Sequence, residues 1–469
     1  MSNMLKEYLI HDFVLFLKIF RLSFQTRPTG GSGMSSKKRE CAEQKRFTKV
    51  RTHSDYLAIF LLTISSLLAV SCMGEVANLC ALGTLCSGKG GSSGIPALIL
   101  PSSSATVPTT TTPTLTTESY PGFTANRVYG QPDFTSSGPN NGGVTAASAN
   151  SPTGIALDSS GNVYITEFSN NRILRFPPGS TTADTVYGQA GSFTTNTANK
   201  GGSITASTLY APVHLSMDAS GGLYATDAYN NRALYFPSGS TTATKVFGQP
   251  NFNTGNFVGG SGTNSDWNFW GIAVDGSNNV YIADYYNDRI LYYPSGGGSA
   301  TRIYGPGGEN NWCPPVSATT ICYPTGVAVA SNGDVYATDY TNSRVLYYPS
   351  GSTTATRVYG QPNFTSNTAN NGGRTANSLS APKGIALDPQ GGLYVSDKFN
   401  NRVLYYPPGS TTATRVYGQN GDFTTANSGT NSSSLNGPEG LAFDSSGGLY
   451  IVDTGNNRTL YFPQVTVTH

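Results

Sequence analysis

From about residue 121 onward, the chain repeats a pattern of short apolar stretches separated by turn residues. One copy reads TGIALDSSGNVYITEFSNNRILRFP (153–177), and TVYGQ (185–189) follows it. NVYIT alternates apolar and polar positions with period 2, which predicts a strand, and GIALD, RILRFP and TVYGQ predict three more. The DSSG segment suits a hairpin turn because Gly supplies a positive φ there. Each copy therefore predicts four short strands.

The copies are marked by six arginines and six VYGQ-like segments. The arginines lie 55 to 60 residues apart, at Arg172, Arg232, Arg289, Arg344, Arg402 and Arg458. The VYGQ-like segments begin at positions 128, 186, 246, 303, 358 and 416. Four short strands repeated six times predict an all-β fold, a six-bladed β-propeller of four-stranded blades.

The two markers are out of phase, which predicts how the ring closes. The first VYGQ precedes the first long motif and none follows the last, so the last blade lacks a fourth strand. Residues 126–130 (NRVYG) are predicted to supply that strand and to remove an exposed sheet edge. Deleting residues 121–131 should then destabilise the whole ring. The tail QVTVTH (464–469) is the less favoured candidate for the same slot.

The repeated motif G-[IL]-A-[LV]-D-x-x-G-[NG]-[VL]-Y-x-x-D-x-x-N-N-R-x-L resembles the NHL-repeat family. The resemblance covers about 350 residues through six copies. It implies a six-bladed propeller, and the family's known roles include protein binding, RNA binding and enzymatic activity on the same ring. A fold does not choose among such roles.

Most of the repeated charged residues are interpreted as scaffold. An acid lies five residues before each repeated arginine, and such a pair most simply ties the turn between the second and third strands. The pairs are Glu167/Arg172, Asp227/Arg232, Asp284/Arg289, Asp339/Arg344, Asp397/Arg402 and Asp453/Arg458.

Function is sought where the copies differ. The loops between blades, for example 131–152 and 361–382, are long and rich in Asn, Thr, Ser and Gly. Long loops are candidate binding elements, and the alternative is that these loops only cover the ring. By symmetry, the residues just before the inner strands should circle the channel mouth. They are Thr153, Val213, Trp270, Thr325, Lys383 and Glu439.

Three tryptophans and one histidine complete the set of candidate binding residues. Trp270 and Trp267 lie in the segment DWNFW, and with Lys383 and Glu439 they could stack a sugar ring or hold a peptide side chain. The alternative is that Trp270 plugs the channel. Trp312 is either a second exposed anchor or the core of its own loop. His214 replaces the Gly of the other five copies.

The sequence argues against several catalytic centres. The body contains only His214 and the terminal His469, so neither a three-His zinc site nor a Ser-His-Asp triad can be assembled. A calcium ion held by Asp, Asn and Glu at the channel stays possible. No cofactor is otherwise expected, and no metal ligand can be assigned.

Charge argues against nucleic acid as a partner. Residues 1–71 hold 11 Lys/Arg and 5 Asp/Glu (+6), whereas the remaining residues hold 17 and 21 (−4). A body without a basic stripe is not suited to phosphate backbones.

The N-terminal segments predict export. The apolar run 57–70, preceded by lysines and arginines, suits the core of a signal peptide. Ser71 and Cys72 follow it, an arrangement that resembles a bacterial lipoprotein signal with Cys72 as the lipidated residue. The alternative is an ordinary signal peptide in which this cysteine has no role. We therefore divide the chain into an over-extended start (1–33), a signal peptide (34–71), a lipid-anchored flexible tether (72–120) and the propeller (121–469).

Two close pairs of cysteines predict local disulfides in an exported protein. Cys80 and Cys86 form the first pair, and Cys313 and Cys322 form the second. The leading hypothesis is a monomeric, non-catalytic binding module of the bacterial cell envelope that recognises an extracytoplasmic protein or glycan through its long-loop face. Its alternatives are a calcium-dependent hydrolase or lyase and a structural surface lipoprotein.

Overall fold

The computed structural model describes residues 117–256, 268–306 and 313–468. The predictions for the start, the signal peptide and most of the tether lie outside the described residues. So do five residues with predicted roles, namely Cys72, Cys80, Cys86, Trp267 and Trp312.

The described chain forms six four-stranded antiparallel sheets and one two-stranded sheet. Within blades one to five, the strands follow chain order from the inner strand to the outer one. Blade one comprises β3 (Pro152–Leu157), β4 (Val163–Glu167), β5 (Arg172–Phe176) and β6 (Thr185–Tyr187). Blade two comprises β7 (Pro212–Met217), β8 (Leu223–Asp227), β9 (Arg232–Phe236) and β10 (Lys245–Phe247). Blade three comprises β11 (Phe269–Val274), β12 (Val280–Asp284), β13 (Arg289–Tyr293) and β14 (Arg302–Tyr304).

The second half of the ring repeats this plan. Blade four comprises β15 (Pro324–Val329), β16 (Val335–Asp339), β17 (Arg344–Tyr348) and β18 (Arg357–Tyr359). Blade five comprises β19 (Pro382–Leu387), β20 (Leu393–Asp397), β21 (Arg402–Tyr406) and β22 (Arg415–Tyr417). Blade six comprises β23 (Pro438–Phe443), β24 (Leu449–Asp453), β25 (Arg458–Phe462) and, from the other end of the chain, β2 (Arg127–Tyr129). The predicted six-bladed propeller is confirmed.

The ring closes through β2, as the phase of the repeats predicts. Arg127 to Tyr129 pair antiparallel with Tyr461 to Thr459 of β25. The C-terminal tail does not compete for this slot. It forms β26 (Gln464–Thr468), which pairs with β1 (Thr117–Pro121) in a separate ribbon.

The hydrophobic core lies between neighbouring blades. One cluster joins Tyr164 and Ile173 of blade one to Leu215 and Phe236 of blade two, and five similar clusters lie elsewhere around the ring. Each sheet therefore buries its faces against the next, as expected of radially repeated sheets.

The helices of the described residues are short 3-10 turns, and none is long and apolar enough to cross a membrane. They are Phe168–Asn170, Ala198–Gly201, Ala228–Asn230, Tyr285–Asn287, Lys398–Asn400 and Thr454–Asn456.

The predicted charge pairs hold the turns between the second and third strands. Arg402 Nε donates to Asp397 Oδ2 over 2.7 Å, and both side chains are fully buried. Asn400 donates to the same carboxylate, and Asn401 adopts the left-handed conformation (φ 51°) that reverses the chain. The equivalent ion pair is present in all six blades. This geometry explains the repeated D-x-x-N-N-R motif.

Candidate functional site

One end of the channel gathers the inner-strand starts, the turns after the second strands and the loops between blades. Pro152 of β3 pairs with Glu167 at the end of β4, so each inner strand begins beside the following turn. Hydrogen bonds place the loops at this end too. Asn140 of a loop and Asn170 of a turn exchange hydrogen bonds of 2.7 and 2.9 Å, and loop residue Asn370 and turn residue Asn400 do the same in blade five. We call this end the loop face.

The long loops are anchored from within. Arg402 donates to the carbonyl of Phe423 in one loop and to those of Thr375 and Ser378 in another. Gln419 of the VYGQ segment also donates to two backbone carbonyls. Because buried side chains hold these loop backbones by hydrogen bonds, the loops are held in fixed positions around this end of the ring.

The six residues expected just before the inner strands are the second residues of those strands. Thr153 and Thr325 are buried, and their hydroxyls are engaged with a threonine of the same blade and with a carbonyl of the next blade. Val213 is also buried. These three positions serve the contact between blades rather than a site.

The other three of the six take part in a cluster of charged and aromatic side chains. Lys383 Nζ lies 3.7 Å from the ring centroid of Trp270 and 4.7 Å from that of Tyr340. Glu439 Oε1 lies 2.5 Å from Lys398 Nζ. Lys383 and Glu439 are each 5% exposed. With His214, we call Trp270, Lys383, Lys398 and Glu439 the channel cluster.

Burial and mutual charge set the protonation of this cluster. Burial lowers the pKa of Lys383 to about 7, although the Glu439 carboxylate opposes that shift. Burial disfavours ionisation of Glu439, but Lys398 and Lys383 outweigh it and lower the pKa of the carboxyl group. Near neutral pH the cluster therefore contains one carboxylate, one paired ammonium and one lysine that titrates.

His214 places an imidazole where the other five blades have glycine. At Gly384, a Cβ would lie 2.1 Å from the carbonyl oxygen of Glu439, which shows how closely the inner strands approach one another. Burial lowers the pKa of His214 to about 4, so the imidazole is neutral at pH 7. Its Nδ1 and the indole nitrogen of Trp270 are buried without a hydrogen-bond partner in the part of the chain that the structure describes.

Aromatic side chains surround the channel cluster on the loop face. Trp270 stacks on Tyr285 with a centroid distance of 4.9 Å, and Tyr285 stacks on Tyr323 at the same distance. Phe399, beside Lys398, is 61% exposed, and Tyr210 is 37% exposed. The aromatic rim is defined as Phe168, Tyr210, Tyr229, Tyr285, Tyr286, Tyr323, Tyr340 and Phe399.

The structure shows the surroundings of Trp270. Its ring contacts Tyr285 and the Lys383 ammonium, so Trp270 is part of a packed cluster, and its role in stacking a sugar stays a prediction. It is partly exposed.

Sequence reasoning missed one informative position of the repeat. The residue directly after each repeated acid also lies at the loop face and also varies: Phe168, Ala228, Tyr285, Tyr340, Lys398 and Thr454. A comparison of this position across the six copies would have found Lys398, Tyr285 and Tyr340. The pairing of Lys398 with Glu439 joins neighbouring blades and has no local signal.

Of the two predicted disulfides, the one between Cys313 and Cys322 is confirmed. Cys322 is buried and Cys313 is exposed. The bond closes the loop before blade four. Closing a loop of this size removes chain entropy from the unfolded state worth about 2–3 kcal/mol.

The other predicted disulfide, between Cys80 and Cys86, is not confirmed. Cys80 and Cys86 both lie outside the described residues, and the Cys313–Cys322 bond is the disulfide that the described part of the chain contains. A bond between Cys80 and Cys86 therefore stays a prediction.

Replacing Cys313 by Ser is expected to lower the free energy of unfolding by about 2–3 kcal/mol. Urea unfolding of the variant and the oxidised parent measures this difference. Reductant should then shift the parent more than it shifts C313S, because the variant has already lost this bond. Equal midpoints for oxidised parent and variant would contradict the prediction.

Asp288, Cys313 and Cys322 form the one compact group of potential metal ligands among the described residues. Both cysteines belong to the disulfide, so their sulfurs are not thiolates, the form that binds metals. Calcium at the channel stays a prediction.

Comparison with known proteins agrees with the fold. The NHL repeat family model matches residues 150–176, 322–348 and 435–458. These matches fall on blades one, four and six, and the same motif recurs in the other three. The chain therefore contains NHL repeats, and these lie on blades of a six-bladed β-propeller.

One curated relative is peptidyl-alpha-hydroxyglycine alpha-amidating lyase 1 of Drosophila melanogaster, 34% identical over 90 residues. That match spans 18% of this chain and 16% of the lyase, so it covers only a small part of either protein.

Similar solved structures have varied activities. They include a catalytically inactive virginiamycin B lyase from Staphylococcus aureus with quinupristin (12% identity, 74% of this chain, 99% of that chain, TM-score 0.42). A gluconolactonase from Xanthomonas campestris (11%, 73%, 98%, 0.45) and an auxiliary nutrient binding protein from Bacteroides thetaiotaomicron (12%, 75%, 77%, 0.45) are also similar. At TM-scores below 0.5, these likenesses say nothing about the chemistry of this chain.

Proposed function

We propose that this propeller is a non-catalytic binding module that recognises an extracytoplasmic glycan or protein at the loop face. The observation that carries the proposal is the concentration of partly exposed aromatic side chains around one end of the channel. Phe399 is 61% exposed there and is the most exposed large apolar side chain of the described residues. Aromatic side chains with apolar faces are frequent anchors of binding surfaces.

The anchored loops support this function. Recognition needs side chains held in place before the ligand arrives, since ordering them on binding would cost free energy. The buried arginines and the VYGQ glutamines fix the loop backbones around the rim. The loop face is therefore a preorganised surface.

The proposal also places the protein outside the cytoplasm, held to a membrane through a lipid on Cys72. The apolar run before Cys72 supports that location. The Cys313–Cys322 disulfide is consistent with it because disulfides persist in oxidising compartments.

A screen of the purified full chain against glycans, cell-wall fragments and extracytoplasmic proteins tests the function. For a ligand identified in this screen, Phe399→Ala and Tyr210→Ala are each expected to weaken binding about tenfold, as loss of an aromatic anchor does. Phe123→Ala is the matched control, because Phe123 is 39% exposed but packs against Tyr417 of the outer strand β22.

Binding that survives both rim variants would move the site away from the loop face. A screen without any ligand would shift weight to the structural surface protein or to the calcium-dependent hydrolase or lyase. Bound calcium in the purified protein, together with an activity lost on chelation, would select the enzyme.

A further inference from the structure

The channel cluster contains a buried ammonium group, that of Lys383. The channel cluster holds two lysines and one glutamate, and Glu439 pairs directly with Lys398. Lys383 is 5% exposed, and its Nζ lies over the rings of Trp270 and Tyr340. No carboxylate or carbonyl oxygen of the described residues accepts a hydrogen bond from it.

An ammonium group in this setting lacks the partner that buried charges require. Aromatic faces attract a cation, but they do not accept its hydrogen bonds as a carboxylate does. With His214 neutral, the channel cluster carries one excess positive charge whenever Lys383 is protonated. A carboxylate would neutralise this charge and accept hydrogen bonds from Nζ.

Building on the proposed function, we propose that the channel cluster is a carboxylate subsite and that the ligand is an acidic glycan whose uronate carboxylate binds Lys383. The sugar ring would lie at the mouth, among the aromatic rim and the polar loops.

The fold favours a glycan over a peptide terminus as the source of the carboxylate. Extended peptides commonly bind by adding a strand to a free sheet edge. Each inner strand is the edge strand of its sheet, but the inner strands of neighbouring blades approach so closely that a Cβ at Gly384 would lie 2.1 Å from the carbonyl oxygen of Glu439, which leaves no room for an added strand between them. At the outer edge of blade six, β2 already pairs with β25. The mouth instead offers flat aromatic side chains and the hydroxyl and amide groups of the loops, which suit a ring bearing hydroxyls.

The pH dependence of binding separates this subsite from ordinary surface attraction. The groups that face Lys383 are Glu439 and Lys398, with Tyr340 against its Nζ and His214 within electrostatic reach of Glu439. Glu439 stays ionised and His214 stays neutral between about pH 6 and about pH 8.5. Burial lowers the pKa of Lys383 to about 7, so it is the member of the channel cluster expected to lose its proton in this interval.

The test is calorimetric titration of the full chain with tri-galacturonate and, as the matched neutral probe, tri-galactose. We expect tri-galacturonate to bind at about pH 6 and to bind roughly 30-fold more weakly at about pH 8.5, as the protonated fraction of Lys383 falls. Tri-galactose should bind at least about tenfold more weakly than tri-galacturonate at about pH 6. Lys383→Met should abolish the preference for the acid, whereas Lys245→Met, which removes a lysine beside Tyr235 on an outer strand, should not.

Three results would overturn the proposal. They are equal affinity for both sugars, an acid preference that survives K383M, and binding of a dipeptide acid but not its amide in the absence of uronate binding. Neutral glycan binding that depends on Phe399 would refute the carboxylate subsite alone and leave the proposed function standing. If the protein binds no glycan and no protein, both the carboxylate subsite and the proposed function are refuted.

Discussion

Deleting residues 121–131 is expected to lower the free energy of unfolding of the whole ring by more than about 3–5 kcal/mol. The deletion removes β2, whose Tyr129 is 1% exposed and packs against Phe176 and Tyr450. Truncating one buried aromatic side chain already costs about 3–5 kcal/mol. The deletion also leaves the backbone edge of β25 unpaired. Since domains are stable by only about 5–15 kcal/mol, thermal unfolding should occur at a much lower temperature or the protein should aggregate.

The tail supplies the matched control. Deleting residues 464–469 removes β26 and hence the ribbon with β1, but blade six keeps all four strands. Residues 464–466 are largely exposed, so this deletion should cost far less than the loss of β2. Tyr129→Ala should reproduce most of the larger effect with the chain length unchanged. A melting temperature that is unchanged after deletion of 121–131 would refute closure by β2.

The fold could be predicted from the sequence because each blade repeats the same local sequence signals for strands and turns. Period-2 alternation, the hairpin glycines and the D-x-x-N-N-R turn recur through the copies, and six copies average out local ambiguity. The phase of the VYGQ segments even identified the closing strand, predicted as 126–130 and observed as Arg127–Tyr129. The ribbon between β1 and β26 was missed, because the tail was considered only as a rival for the closing slot.

The arrangement of the candidate site could be predicted only in part, for a physical reason. Symmetry correctly brought Lys383, Glu439 and Trp270 to one end of the channel. It could not tell which side chains meet, because Lys398 and Glu439 are 41 positions apart and their contact depends on side-chain direction between blades. Nor could symmetry show that the Lys383 ammonium lies over the Trp270 ring, or that Thr153 and Thr325 form hydrogen bonds between neighbouring blades.

Removing either of two neighbouring charges of the channel cluster is expected to change the stability of the protein in opposite directions. Glu439→Gln is expected to destabilise the protein by about 3–5 kcal/mol at about pH 6, because it removes the buried carboxylate that pairs with Lys398 and offsets the charge of Lys383. Lys383→Met is expected to stabilise it by roughly 2–4 kcal/mol at the same pH, since a buried charge is replaced by an apolar chain of similar length. Denaturant unfolding of the two variants beside the parent measures both differences.

The pH dependence of these differences identifies the lysine as the cause. Below about pH 7, Lys383 is protonated in the folded and unfolded states, so the parent bears the full cost of burying its charge. As pH rises from about 7 towards 10.5, the folded state loses that proton first, and the cost falls. The advantage of K383M over the parent should therefore be largest at about pH 6 and shrink steadily above about pH 7.

The outcomes for K383M separate charge from packing. An advantage that does not change with pH would show that packing rather than charge is responsible. A variant less stable than the parent at about pH 6 would mean that the aromatic contacts of Lys383 outweigh its desolvation. If K383M is more stable yet loses uronate binding, the parent protein retains a destabilising charge at the position where its ligand is proposed to bind, a trade of stability for function that structural residues do not show.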